Sequence, residues 1–438
     1  MNERINKFNK KWKGKQVYAC KYVGSTLNFN PEEFTFCCSS TTGNYPVVYE
    51  VNEENYKLFT KENYIDAMMR VFEDNQKRRG ACCGCELLEQ VPFEEWNVDQ
   101  VKITNIVWNH FRGCNSRCVY CGDRNKFKKY YEAIEVFDEL EAEDLIGKET
   151  AISFGGGEPT LLDNLNEYIE LGLKHNWPQI LNTSGLLYKD YIEKALTEND
   201  NFSVQISVDS GTAETYRKVK GQNGFSIVWN TIRNYCRSGK RVFVKYIMFS
   251  YNSSHKEIDA FIEQCNSAGV ANISVSAEAA SNWAWETEVP WEYGETEMVA
   301  TSYLMGKILE NEKALFLYQG NIAKKNFDHI LDLYVSNYLK DWIDGRKVCI
   351  WGMGACGNEM LDILEGRKIQ VEWVGDNAVN KHGKSFHNIQ CFSLDQLVVQ
   401  AKKETSVCIL LAISHYEQIY SDLMRNLPNA EIRVINVL

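Results

Sequence analysis

Proline is scarce, at 7 of 438 residues, which excludes collagen-like and proline-rich linker architectures. Long apolar runs are missing as well. The longest near a candidate span, 407–413, falls far short of the roughly 20 residues that a bilayer-crossing helix needs. No apolar core follows the polar, lysine-rich residues 1–15, so no secretory signal is expected there. Positive charge is in deficit: 48 Lys and Arg stand against 59 Asp and Glu, a net charge of −11. Such a surface disfavours broad contact with nucleic acid or with an anionic membrane. The expectation is a cytoplasmic protein with neither as a partner.

What is present fits a folded chain. Hydrophobic residues make up 44% and charged residues 24%, and the length suits about three domains at ~150 residues each. Cysteine is plentiful, at 15 residues, and nine of these fall at or before Cys121. In a reducing compartment so many thiols do not imply a disulfide framework. Six of them, Cys236, Cys265, Cys349, Cys356, Cys391 and Cys408, are scattered in apolar contexts and read as small buried hydrophobes. The other nine are grouped, and read as metal or cluster ligands.

The chain divides by pattern into four stretches. Residues 1–98 hold six cysteines and few periodic segments, which suggests a small region held together by metal. From 99 to 280, strand-like runs at 101–108, 151–154, 179–182, 202–208, 241–248 and 271–275 alternate with helical patterns. That alternation predicts parallel βαβ units and a partial or full (β/α) barrel. Residues 281–344 are aromatic-rich and then helical, and read as a connector. Residues 345–438 restart the α/β alternation, at a length that suits half of a doubly wound nucleotide-binding fold.

Cys114, Cys118 and Cys121 form a C-x3-C-x2-C run just after the strand-like 101–108. Three thiolates suit an iron–sulfur cluster with one iron left open to a small molecule. A zinc knuckle is the competing reading, although a closed zinc site needs a fourth ligand. The run, with the aromatic Tyr120 before its last cysteine, resembles the signature of the radical S-adenosylmethionine (radical SAM) superfamily. One βα unit later comes Gly155-Gly156-Gly157-Glu158-Pro159, similar to that superfamily's motif for the methionine end of SAM. Later strand-like runs end in polar groups that include Ser184, Ser207 and Asp209. The resemblance covers about 100–280. It implies an α/β fold with a partial (β/α)6 radical SAM barrel, and a [4Fe–4S] cluster on Cys114, Cys118 and Cys121. It further implies SAM contacts from Tyr120, Gly156, Gly157, Glu158, Pro159, Ser184, Ser207 and Asp209, and an electron donor such as flavodoxin or ferredoxin as partner.

Ahead of the barrel, a C-x2-C pair and two distant cysteines can supply four ligands to one more cluster or to zinc. This set, Cys20, Cys37, Cys82 and Cys85, resembles the auxiliary-cluster regions of SPASM and twitch-type radical SAM proteins. It departs from them in preceding the barrel. Cys38 can replace Cys37, and Cys83 reads as a spare thiol. In the tail, Gly352-x-Gly354-x-x-Gly357 follows a strand-like run and opens a helical one, with Asp376 near the spacing of a ribose-binding acid. The expectation there is a C-terminal Rossmann-like domain with a nucleotide site, or one that kept the turn and lost the ligand. The substrate readings are a nucleotide-linked or phosphorylated sugar or polyol, prompted by the tail, and a ribosomal peptide, prompted by the SPASM-like cysteines. A third reading is a non-catalytic metal-binding scaffold.

Overall fold

The computed structural model describes residues 1–37, 44–85, 87–121, 131–238, 241–277, 294–318, 324–413 and 415–437. They divide into two units: Met1–Ser207 with Lys220–Val242, and Val208–Val219 with Phe243–Ala279 and Pro290–Leu438.

The first unit is organised on five parallel strands in spatial order: β1 (Thr26–Phe29), β2 (Asn105–Trp108), β3 (Ala151–Phe154), β4 (Gln179–Thr183) and β5 (Phe202–Ser207). β2 to β5 fall within the runs expected from the alternation or within a residue of them. Helices fill the connections. Leu165–Lys174, between β3 and β4, buries Leu165, Tyr168, Ile169 and Gly172, the i, i+3, i+4, i+7 stripe of an amphipathic helix.

β1 comes from the cysteine-rich stretch and pairs with β2, Leu27 opposite Ile106. Every residue of β1 is buried, Thr26 and Asn28 included. Its sequence, Thr-Leu-Asn-Phe, alternates polar and apolar, but four residues in a stretch with few periodic segments are too short a run to announce a strand of the main sheet. Residues 1–98, expected to be a small region held together by metal, also have an apolar core of their own. Phe8, Val17 and Phe72 are buried together, with Trp12, Phe93 and Trp96 packed against them. Phe8 comes from the helix Asn2–Trp12, whose buried apolar residues are only Ile5 and Phe8, too few to announce a helix in a lysine-rich sequence. Phe72 comes from Lys61–Gln76, which Thr60 and Asn63 start with a reciprocal capping box.

The second unit also has a parallel sheet. Its strands are β6 (Val242–Met248), β7 (Asn272–Ala277), β8 (Ala314–Tyr318), β9 (Lys347–Trp351), β10 (Trp373–Gly375), β11 (Ile389–Phe392), β12 (Val407–Leu411) and β13 (Glu431–Val437). The spatial order is 6-7-8-13-12-9-10-11, with these eight strands parallel and the two-residue strand Ser385–Phe386 antiparallel beyond β11. β8 lies in the stretch expected to be a helical connector. It pairs with β13, Leu315 opposite Ile435, so the tail extends the sheet of the preceding strands. One core follows from that pairing: Phe243, Ala314 and Phe316 are buried with Trp351, Ile409, Ile432 and Val434. Within the tail the strands run 11-10-9-12-13. That is the 3-2-1-4-5 order of a doubly wound sheet, whose direction of winding reverses between β9 and β12.

Candidate functional site

The C-x3-C-x2-C loop is held from two sides within the first unit. On one side the backbone of 108–113, which leads into it, pairs with the glycine loop after β3. Gly155 N–H donates to Trp108 O at 2.9 Å, Gly157 N–H to Phe111 O at 2.8 Å and Glu158 N–H to Gly113 O at 2.7 Å. The approach is close enough to demand glycine. A Cβ on Gly156 would lie 2.5 Å from Phe111 O, at a φ of +85°, and one on Gly157 would lie 2.1 Å from Gly113 O. At these two positions the near neighbour that a side chain would strike is the protein's own backbone.

Glu158 then locks the loop to the end of β4. It is buried, and its carboxylate accepts from Thr160 N–H, the Thr160 hydroxyl, the Thr183 hydroxyl and, at 2.6 Å, Ser184 N–H. A buried carboxylate with four donors is stable where an isolated one would be costly. Pro159 opens the short turn Pro159–Leu161, where its fixed φ suits a helical first position. The Ser184 hydroxyl donates to Asn115 Oδ1 at 3.3 Å, so the β4 end reaches the cysteine loop itself. Ser207 is half-buried at the end of β5.

On the other side stands a three-residue strap that the sequence reading missed. Lys220 O accepts from Arg117 N–H at 2.9 Å. Lys220 Nζ donates to the Tyr120 hydroxyl at 2.7 Å, and Gln222 Nε2 donates to the Ser116 hydroxyl at 3.2 Å. Between them Gly221 has a φ of +66°, and a Cβ there would lie 2.7 Å from Arg117 O. The available signal was Lys220-Gly221 at the end of a helical pattern, which reads as an ordinary helix stop.

Of the three thiols, Cys114 is exposed, and Cys118 and Cys121 are partly covered. Burial of the sulfur against the protein, with the neighbouring Cys118, Glu158 and Cys121 adding to it and a hydrogen bond from Ser116 N–H opposing it, raises the Cys114 thiol to about 11. Metal or cluster binding takes the thiolate, so ligation here must displace a proton. The donor set consists of three thiols on one loop that feel one another's charge. Such soft ligands suit an iron–sulfur cluster.

A second trio lies in the N-terminal part. Burial raises the Cys82 thiol to about 11, with Cys20 and Cys85 adding to the rise, and Cys20 is raised by burial and then by Cys85. Strand pairing explains how distant residues meet. Gln16–Ala19 pairs antiparallel with Glu89–Pro92, Ala19 opposite Glu89, which carries Cys20 toward Cys85. A turn joins the other two, with Cys85 N–H donating to Cys82 O at 3.1 Å. Cys37 is buried, Cys83 is exposed, and Cys38 lies outside the described residues. Among the described residues no group of three or more His, Cys, Asp or Glu is gathered as for a single metal ion.

The remaining predicted residues lie in the second unit. Asp209 is fully buried with a φ of +57°. Its Oδ1 accepts from Ile247 N–H at 2.8 Å, and its carbonyl accepts from Asn252 Nδ2 at 2.9 Å. Its side chain thus braces a turn, a constraint invisible without the tertiary structure. Glu257, also missed, does similar work by accepting from Gly211 N–H, Thr212 N–H and the Thr212 hydroxyl. In the tail, Gly352 has a φ of +101°, and a Cβ on Gly357 would lie 2.0 Å from Gly352 O, while one on Gly354 would meet nothing within 4 Å. Asp376 faces this loop, accepting from Met353 N–H at 2.7 Å, from Lys381 Nζ at 2.8 Å and from Ala378 N–H at 2.8 Å.

Comparison with known proteins bears on the first of these regions. Mycofactocin maturase MftC of Mycobacterium ulcerans is 27% identical over 139 residues, which are 31% of this chain and 37% of that protein. Fe-coproporphyrin III synthase of Methanosarcina barkeri is 29% identical over 158 residues, 34% of this chain and 37% of its own. This chain therefore spans a little over a third of the length of these relatives. The crystal structure of Streptococcus suis SuiB bound to S-adenosylmethionine has a TM-score of 0.42 at 14% identity, covering 58% of this chain and 55% of that one. Residues 108–278 match the family model of the Radical SAM superfamily, and this part of the chain is a radical SAM domain.

Proposed function

We propose that the chain is a radical SAM enzyme whose [4Fe–4S] cluster is held by Cys114, Cys118 and Cys121, and that its substrate is a peptide. The observation that carries the enzymatic reading is the cysteine loop inside the matched domain, braced by the glycine loop, the β4 end and the Lys220–Gln222 strap. When bound and reduced, the cluster supplies the electron that splits SAM into methionine and a 5′-deoxyadenosyl radical able to take a hydrogen atom from the substrate. The chain's own part is geometric. The glycine loop and Glu158 fix the strand ends against the cysteine loop, and the strap restrains Ser116, Arg117 and Tyr120 between the ligands.

The peptide is favoured over the sugar or polyol because the relatives include proteins named as maturases. Cys20, Cys82 and Cys85, brought together by strand pairing, are the candidates for an auxiliary cluster, with Cys37 or Cys38 as a further ligand. The tail glycine loop is a second candidate site, for a phosphate-bearing ligand. The open space at Gly354 supports that reading.

Anaerobically reconstituted protein treated with dithionite and SAM is the test. Release of 5′-deoxyadenosine is expected from the wild type and none from Cys118→Ala, because a three-thiolate site has no spare ligand. Equal release from both would remove the assignment. Stimulation of that release by short peptides, and not by nucleotide sugars, is the expected substrate result.

A further inference from the structure

We infer that Lys220 is a positioning residue for the cluster on Cys114, Cys118 and Cys121: it sets the charge beside the cluster and, through Tyr120, the orientation of the loop's last turn. The inference rests on the cluster assignment above and goes beyond it, since nothing in the cysteine signature calls for a lysine some hundred residues away.

Three observations converge on it. Lys220 is only 2% exposed, so its ammonium is withdrawn from water, an expensive placement for a cation that needs a reason. The ammonium reaches the loop at Tyr120, its Nζ 2.7 Å from the Tyr120 hydroxyl and 5.2 Å from the centre of the Tyr120 ring. Tyr120 adjoins Cys121, whose N–H closes a turn onto Cys118 O at 3.1 Å, so the tyrosine lies within the span that joins two of the three ligands. The backbone around Lys220 leaves it little freedom to be elsewhere. Its own carbonyl holds Arg117 N–H, and Gly221 admits no side chain against Arg117 O.

A surface helix end would not need this construction. A cation beside a cluster with three thiolate ligands stabilises the reduced, more negative state over the oxidised one, and net charge, hydrogen bonding and solvent exposure are the levers that set such potentials. The ring contact adds a second effect. A cation over the face and hydroxyl of Tyr120 fixes that ring, and with it the backbone between Cys118 and Cys121.

The experiment is a potentiometric titration of the reconstituted full chain, followed by electron paramagnetic resonance, with iron and sulfide assayed on the same samples. The variants are Lys220→Arg, which keeps charge and donor, Lys220→Gln, which keeps a donor only, and Lys220→Met, which keeps neither. Tyr120→Phe removes the hydroxyl. The expected result is wild-type iron in Lys220→Arg and Lys220→Gln, a midpoint unchanged in Lys220→Arg, and a midpoint moved to more negative potential in Lys220→Gln. Lys220→Met should match or exceed the Lys220→Gln shift. If Lys220→Met fails to hold iron, Lys220→Gln decides. Tyr120→Phe should keep most of the midpoint while broadening the resonance, since the charge remains and the ring loses its tie. A wild-type midpoint in Lys220→Gln at full iron content would overturn the inference, as would a Lys220→Arg midpoint displaced as far as that of Lys220→Gln. Failure of the wild type itself to assemble a cluster would strike at the cluster assignment instead, so the two failures are distinguishable.

Discussion

The loops Gly155–Gly157 and Gly352–Gly357 both follow a parallel strand, and the sequence presents them alike, as places where the backbone is bare so that something can come near. The structure separates them. In the first, methyl groups on Gly156 and Gly157 would strike Phe111 O at 2.5 Å and Gly113 O at 2.1 Å. In the second, Gly352 and Gly357 serve the turn and its packing, while a methyl on Gly354 would enter open space. A glycine in a motif therefore reports a close approach without naming what approaches. In the barrel loop it is the chain's own segment leading to the cysteines. In the tail, two glycines of three are spent on the chain and the third is not.

That contrast can be broken most directly at Gly157. Adding a Cβ against three backbone atoms within 2.8 Å forces the loop away from 112–113. Gly157→Ala should cost about 3 kcal/mol of stability and abolish 5′-deoxyadenosine release. Urea denaturation with a parallel SAM-cleavage assay measures both, and a variant as stable as the wild type would mean that the approach is not as tight as described. Gly357→Ala is the tail counterpart. Its Cβ meets Gly352 O at 2.0 Å, with Gly352 C at 2.9 Å the one other backbone atom within 3 Å, so about 2 kcal/mol is expected. SAM cleavage should survive this change, because the cysteine loop gains nothing from the tail turn. Loss of SAM cleavage in a folded Gly357→Ala variant would contradict this.

Asp376 sharpens the same comparison from the side of charge. Burial raises its pKa, but the Lys381 ammonium and the N–H groups of Ala378 and Met353 outweigh that, leaving it below the usual carboxylate value of 3.8. A carboxylate whose folded pKa is depressed stabilises the fold above its unfolded pKa and loses that contribution as pH falls through the folded one. Asp376→Asn should therefore cost about 1 kcal/mol at pH 7, and the difference from wild type should shrink as pH drops below 3.8. An unchanged difference down to pH 2 would show that shape, not charge, holds the loop. Glu158 invites no parallel test, because its four donors fix strand ends next to the cysteines and any change there alters the candidate site itself.

How far these features were legible depends on whether their cause is local. The strands β2 to β5 and the Cys114–Cys121 spacing are local, and each was readable. β1 was not, because its four alternating residues lie in a cysteine-rich stretch with few periodic segments, and only the pairing with β2 shows that it joins the parallel sheet. β8 was not, because Ala314–Tyr318 is a short apolar run in a stretch whose surroundings are helical, and only its partners β7 and β13 make it a strand. Cys20, Cys82 and Cys85 were grouped with Cys37 by spacing and resemblance, but the Ala19–Glu89 pairing that carries Cys20 toward Cys85 spans some seventy residues and was not legible. Lys220 was missed for the same reason. A lysine before a glycine looks like a helix end until its ammonium is found on Tyr120.

The smallest expected effect tests the strongest version of the comparison. Gly354 occupies the N-cap of Ala355–Gly366 in an ordinary extended conformation, with φ −90° and ψ −156°. Alanine is a poorer N-cap than glycine, but it also restricts the unfolded chain, which favours folding by about 0.4–1 kcal/mol where the native conformation suits it. The two nearly cancel, so Gly354→Ala should change stability by no more than about 0.5 kcal/mol, and Gly354→Val should fold as well. If the space is kept for a phosphate, backbone N–H groups and the helix N-terminus would supply the binding, and valine would obstruct it at no cost to the fold. Calorimetry of the full chain with a panel of nucleotides should then show binding to the wild type and at least a tenfold loss in Gly354→Val, with an unchanged melting temperature. Binding unaffected by valine would place the ligand elsewhere. No binding by the wild type at millimolar nucleotide would make Gly354 free of any role, and the tail a doubly wound sheet that extends β8 and kept the turn without the ligand.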